Sequence, residues 1–388
     1  MNCPVCSAPD TALFLERRGV PVHQNLVCPD AASARRIARG DLAMTVCSAC
    51  GFVFNRAFDP GALSYGAAYD NTQVCSPCFD AYVDEAVEYL ADECGLRGSL
   101  IVEIGCGKGH FLRKLVARDN GNRGIGFDPA YVGPSSDAGG RLVFERRFYD
   151  STAATPEPDA VVCRHVIEHI PDPIAFVSAI RRAVERSPAA RIFFETPCAE
   201  WIMRNRVIWD LFYEHCSLFT AGSLTTLFER CGFEVTSVRR VFGDQYLWLE
   251  AAPAAARDVR ADGAGMARLC DAFARDEARQ IAAWRERLAA LRERGRIALW
   301  GAGAKGVTFA DLLDRGCETI DCVVDLNPGK QGRFVPGTGH PIVDFRELNA
   351  RGVRSAILMN PNYGDENRAL IRDAALDVSL YSEETWCA

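Results

Sequence analysis

The chain has 388 residues, 48% of them hydrophobic and 24% charged, with a formal net charge of −7. That length exceeds one ordinary domain, and the apolar content excludes disorder over most of the chain. The acidic balance argues against nucleic-acid binding through bulk charge, and no apolar run approaches the ~18 residues of a membrane-spanning helix.

Residues 1–10 carry no basic stretch ahead of an apolar run, so no secretory signal is expected and the chain is placed in the cytosol. Thiols stay reduced there, and most of the 17 cysteines, Cys106, Cys163 and Cys322 among them, read as small buried hydrophobes. Two pairs ask for chemistry. Cys3-x-x-Cys6 and Cys47-x-x-Cys50 are knuckles whose spacing lets four thiolates surround one ion. They predict a zinc ribbon over 1–70, with an insertion between the knuckles. Four thiolates leave no open position, so the zinc is expected to be structural. A third pair, Cys75 and Cys78, precedes an expected helix at 79–90 and has no second pair to complete a site.

From residue 99 strands alternate with helices. Strands are expected at 100–104, 124–127, 142–144, 160–163, 192–195, 234–241 and 246–250, with helices at 111–117 and 173–185. Such alternation predicts a doubly wound parallel sheet that binds ligands at the carboxyl ends of its strands. The first strand runs into Glu103-Ile-Gly105-Cys-Gly107-Lys-Gly109. Glycines at alternate positions let backbone approach a ligand closely. An acid before the first glycine suits a cationic ligand, and Asp128, after the second strand, suits two ribose hydroxyls. Together they describe S-adenosylmethionine (SAM). At this point the chain resembles class I SAM-dependent methyltransferases. In that fold the string His165-Val-Ile-Glu168-His169 lies beside the SAM methyl group, so His165 is expected at the cofactor. The same string spells a zinc-peptidase pattern, but it sits on a strand-to-loop edge rather than within a helix. A polar residue near the adenine is expected at Tyr149 or Asp150.

After the fifth strand come Phe212-Tyr213-Glu214-His215. An imidazole titrates near neutrality and is the default proton acceptor. His215 is therefore the expected base, with Glu214 or Tyr213 orienting it or stabilising an oxyanion. A small-residue linker at 251–266 leads into a long amphipathic helix at 267–293. A strand at 297–300 then enters Gly301-Ala-Gly303-Ala-Lys305-Gly306, with Asp325 ending the next strand. Alone, this is a dinucleotide fingerprint, and an NAD-linked oxidoreductase is the competing reading. Lys305, at a helix N-terminus, suits a phosphate.

The whole order resembles the nucleotide-diphosphate-sugar C-methyltransferases of deoxysugar biosynthesis. The resemblance implies an α/β fold: a class I methyltransferase sheet at 71–252, flanked by the zinc ribbon and by a Rossmann-like lobe at 253–388. It implies that a keto sugar loses an α-proton to His215 and that the enolate takes the SAM methyl group. Lys305, Gly303, Asn360 and Tyr363 would meet the nucleotide end of this small-molecule substrate, and no nucleic-acid or membrane partner is expected. O- or N-methylation of another acceptor stays open.

Overall fold

The computed structural model describes residues 1–63, 69, 74–150, 156–259 and 261–382. The N-terminal part comprises β1 (Thr11–Pro21), the short α1 (Ala31–Arg35), β2 (Arg39–Cys47) and β3 (Val53–Asn55). Next come α2 (Pro77–Glu88), β4 (Leu100–Ile104), α3 (His110–Ala117), β5 (Arg123–Phe127), β6 (Ser136–Asp137), β7 (Leu142–Glu145), β8 (Ala160–Arg164) and α4 (Pro173–Ala183). They continue as β9 (Arg191–Pro197), α5 (Ala199–Arg204), β10 (Ser217–Leu218), α6 (Ala221–Arg230), β11 (Phe233–Val241) and β12 (Tyr246–Pro253). The C-terminal part holds α7 (Ala264–Arg292), β13 (Arg296–Trp300), α8 (Ala304–Leu313), β14 (Ile320–Val324), β15 (Ile342–Val343), β16 (Val353–Leu358), α9 (Gly364–Asp373) and β17 (Ser379–Tyr381).

The central sheet has the order β11-β12-β9-β8-β4-β5-β7-β6. From β9 to β7 the pairings are parallel, and the burial of β4 along its whole length and of β8 as far as Cys163 matches a sheet covered on both faces. The expectation of a purely parallel sheet is corrected at its edges. β11 and β12 form an antiparallel hairpin, and β12 lies antiparallel to β9. Only residues 242–245 connect β11 to β12, too few for a crossover. The order reverses at β4, which lies between β5 and β8, and the crevice outside its carboxyl end is where such sheets bind ligands.

The last part of the chain forms an all-parallel sheet, β15-β14-β13-β16-β17. Its glycine turn is built like that of the central sheet. The Gly107 N–H donates to Asp128 Oδ2 at 2.8 Å, and the Ala302 N–H to Asp325 Oδ2 at 3.0 Å. In both, the aspartate's other oxygen accepts from a backbone N–H two residues on.

The expected linker is shorter than its composition suggests, because Ala251–Pro253 still belongs to β12 and α7 begins at Ala264. β10 pairs with β3, so the loop after β9 supplies the fourth strand of the N-terminal sheet. Trp209, Trp284 on α7 and Phe309 on α8 pack edge to face with centroids 5.1–5.6 Å apart. Each side chain of this size contributes about 1.5–3 kcal/mol by burial. No helix among the described residues is long and apolar enough to cross a membrane.

Candidate active site

Two cavities meet in the crevice. The first, about 460 Å³, is lined by Glu103, Gly105, Gly107, Asp128, Tyr149 and His165. The second, about 270 Å³, lies between the central sheet and the C-terminal lobe, and Gly303, Lys305, Asn360 and Tyr363 line it opposite His215. Tyr69, His165 and His169 line both.

The first cavity fits SAM on two observations. Glu103 is almost fully buried, and its Oε2 accepts no hydrogen bond. Burial lifts its pKa to about 8, Arg164 partly opposing and Asp128 adding to the rise, so a bound cation would stabilise its charged form. Gly107 has φ +54°, and a Cβ there would meet nothing within 4 Å, so its face is open to the cavity. The other glycines serve the turn itself. A Cβ at Gly105 would strike Val166, and one at Gly109 would strike Phe144. Gly109 caps α3 and does not line the cavity, which corrects its expected contact with the ligand. Asp150 does not line it either.

His165 holds the junction. Its φ of +54° is a conformation that costs a non-glycine residue about 1–3 kcal/mol. Its N–H donates to Glu195 O at 2.9 Å, its Nε2 lies 2.6 Å from Glu195 Oε1, and its Nδ1 lies 3.3 Å from Glu168 Oε1. Burial alone would depress its pKa. The Glu195 and Glu168 carboxylates override that and hold the imidazole up at about 9. Glu195 also accepts from Tyr82 and Arg164. Neither Glu195 nor His169 was singled out as a site residue from the sequence. The H-x-x-E-H spacing carries His169, whereas Glu195 looks like any strand residue.

The loop bearing His215 is anchored on every side. Arg17 donates to Ile208 O and Leu211 O at 2.7 and 2.9 Å and to Glu277 of α7 at 2.7 Å. The Tyr213 hydroxyl accepts from the Asp59 N–H at 2.9 Å, and its ring lies against Gly40. Glu214 Oε2 accepts from the Gln24 N–H at 2.8 Å, and Oε1 lies 3.5 Å from His23 Nδ1. Both side chains are buried against the N-terminal part, and neither lines either cavity. This corrects the expectation that Tyr213 and Glu214 flank the base: they fix the loop, and His215 is the member that reaches the cavity. Its ring packs on Phe212 at 4.0 Å and on His169 at 4.9 Å. Burial first, then the charges of His169, His165 and Lys305, push its pKa well below 6.5, so the imidazole is neutral at neutral pH.

Lys305 also departs from expectation. Its Nζ donates to Asp210 Oδ2 at 2.6 Å, so its charge is already matched from the central unit. Asn360 exchanges amide hydrogen bonds with Gln245 at 2.9 and 3.1 Å, tying the C-terminal lobe to the β11–β12 turn. Gly303 stands at the N-cap of α8 and offers no side-chain cap, which leaves the N–H groups of the first turn open to an anion.

At the N-terminus Cys3, Cys6, Cys47 and Cys50 are buried, with Sγ pairs 3.7 Å (Cys3–Cys50) and 3.6 Å (Cys6–Cys47) apart. A tetrahedron with bonds of 2.3 Å has edges of about 3.8 Å; these two edges match it, and all four Sγ atoms lie within 4.8 Å of one another, so the donor set suits zinc.

A family model described as a methyltransferase domain matches residues 79–238, and one described as a C-methyltransferase C-terminal domain matches residues 257–374. The fold, the glycine turn and these matches define a class I SAM-dependent methyltransferase. Within that class the chain is similar to the C-methyltransferase NovU of Streptomyces niveus, 27% identical across 94% of this chain and 90% of NovU. It is also similar to the ubiquinone biosynthesis O-methyltransferase of Escherichia coli O157:H7, 29% identical over 32% of this chain and 51% of that one. The solved dimethyltransferase RosA of Streptomyces davawensis is 23% identical, with a TM-score of 0.33 over 45% of this chain and 57% of its own.

Proposed function

We propose that this methyltransferase C-methylates a nucleotide-linked keto sugar through an enolate, with His215 as the base. The observation that carries this is the junction: a neutral, half-buried His215 faces the acceptor cavity, which meets the SAM cavity at His165 and His169. SAM, when bound, supplies an electrophilic methyl group. Glu103 would hold its cationic amino-acid end and Asp128 its ribose, while Gly105 and Gly107 keep the backbone close.

A ring nitrogen of His215 takes the proton from the carbon next to the ketone, and the electron pair of that C–H bond passes into the enolate. Positive charge on His165, maintained by Glu195 and Glu168, stabilises the developing oxyanion from a fixed position. With SAM bound at Glu103 and Asp128, the carbanion carbon would attack its methyl group as the S–CH3 bond breaks and S-adenosylhomocysteine leaves, and holding both reactants would provide much of the rate. The nucleotide end lies along Gly303, Lys305, Asn360 and Tyr363, where a diphosphate meets the open first turn of α8 and competes with Asp210 for Lys305. The likeness to C-methyltransferases on both sides of α7 supports this over a dinucleotide-dependent oxidoreductase. The three proposed units are 1–70, 71–252 and 253–388, the first a ribbon around a structural zinc.

Transfer of a labelled methyl group from SAM to a nucleotide-diphosphate 4-keto sugar tests the reading. The label is expected on carbon, and product carrying it on oxygen or nitrogen sinks the proposal. The zinc has its own test. Cys47→Ser should lower metal content from close to one zinc per chain and reduce soluble yield, because ribbon folding draws on metal binding. Full zinc retention in that variant would reject the assignment.

A further inference from the structure

We propose that Glu168, His169 and His215 form a second transition-metal site, separate from the cysteine cluster, and that a borderline divalent cation such as zinc bound there blocks methyl transfer. Binding is argued from geometry alone, while the inhibitory consequence rests on the base role given to His215. One ligand atom from each of the three residues lies within 4.8 Å of the others. Two imidazoles and a carboxylate are the donor set that zinc, cobalt and nickel take. Bonds of about 2.0–2.2 Å require the donors to close in by roughly an ångström, within reach of side-chain rotation.

The carboxylate is prepared for such a role. Glu168 is fully buried on the turn Ile167–His169, where its Oε2 accepts from Thr196 Oγ1 at 3.1 Å. Its Oε1 accepts no hydrogen bond and has the His165 Nδ1 ion pair at 3.3 Å beside it. Thr196 and His165 thus orient the carboxylate as outer partners orient metal ligands elsewhere. All three residues line the acceptor cavity, which leaves coordination positions for water or a substrate oxygen.

The inhibition follows from the lone pair. The ring nitrogen that takes the substrate proton is the one that faces the cavity and would coordinate the ion. Proton transfer and metal binding exclude one another at that atom. An enzyme that needs one zinc for its fold would then be inhibited by a second.

The test is titration of the purified enzyme, its cysteine-bound metal retained, with Co²⁺ alone in a non-chelating buffer. Equilibrium dialysis, the cobalt absorption spectrum and labelled methyl transfer are followed together. The expected result is one further equivalent per chain without thiolate charge-transfer bands. Methyl transfer should fall in step with occupancy and return on adding a chelator too weak to strip four thiolates. His169→Gln and Glu168→Gln should each weaken cobalt binding about 100-fold or more, since even outer-shell changes cost 10–100-fold. No further equivalent, thiolate bands on the added cobalt, or unchanged binding in His169→Gln would overturn the site. Full activity with the site occupied would overturn the inhibition. Solvent exchange of the substrate's carbon-bound hydrogen by the cobalt-free enzyme tests the base role separately, so the two failures can be told apart.

Discussion

His215→Ala should lower turnover by about 10²–10⁴-fold, the usual worth of a positioned general base, while SAM affinity stays unchanged. The affinity should hold because Glu103, Gly107 and Asp128 line the other cavity and His215 does not. Folding should also hold, since Tyr213, Glu214 and the β10–β3 pairing anchor the loop without the imidazole. The pH profile gives a second readout. The base acts as neutral imidazole, whose fraction falls as pH drops through its pKa. Burial and neighbouring charges have moved that pKa well below 6.5, so wild-type kcat/KM should stay flat from neutrality down past pH 6.5. On the alkaline side it should decline as pH passes about 9, where His165 loses its proton. Kinetics across that range, with calorimetric SAM titration of the variant, check both. A variant with wild-type turnover would return the loop to a structural role.

Gly107→Val should remove SAM binding, by about 100-fold or more, which is roughly 2.8 kcal/mol. The side chain would project into the space the ligand needs, because nothing of the protein stands within 4 Å of a Cβ there. The contrast is Gly109→Ala, whose Cβ would strike Phe144 and so act on stability rather than on the cavity. Circular dichroism and thermal melting alongside the titration separate the two. Undiminished SAM affinity in Gly107→Val would place the cofactor elsewhere.

The sequence showed most where chemistry depends on local spacing. The glycine turn follows β4 as expected, because a strand ending in alternate glycines has few other uses. The four cysteines converge because each C-x-x-C presents both sulfurs on one side. α7 runs Ala264–Arg292, close to the expected 267–293, and its stripe residues Trp284, Leu288 and Leu291 are buried. What stayed hidden depends on partners far along the chain. Tyr213, Glu214 and His215 are adjacent, and nothing in that string says which will face a cavity. Asp59, Gln24 and Gly40 decide it, each more than 150 residues away. The Lys305–Asp210 pair also spans 95 residues. The strain at His165 and the reach of Glu195 follow from how β8 and β9 lie side by side. The β11–β12 hairpin is a different case: its short connection stood in the expected strand bounds, yet the alternation was read as a parallel sheet.

The most direct measurement is solvent exchange in deuterium oxide. The nucleotide-linked keto sugar is incubated with wild-type enzyme and S-adenosylhomocysteine in place of SAM, so that no methyl group can be transferred. Deprotonation precedes methyl transfer in this account. It therefore predicts deuterium at the carbon next to the ketone, at a rate that His215→Ala reduces along with turnover. An acceptor that the enzyme methylates but whose carbon-bound hydrogens never exchange would contradict it.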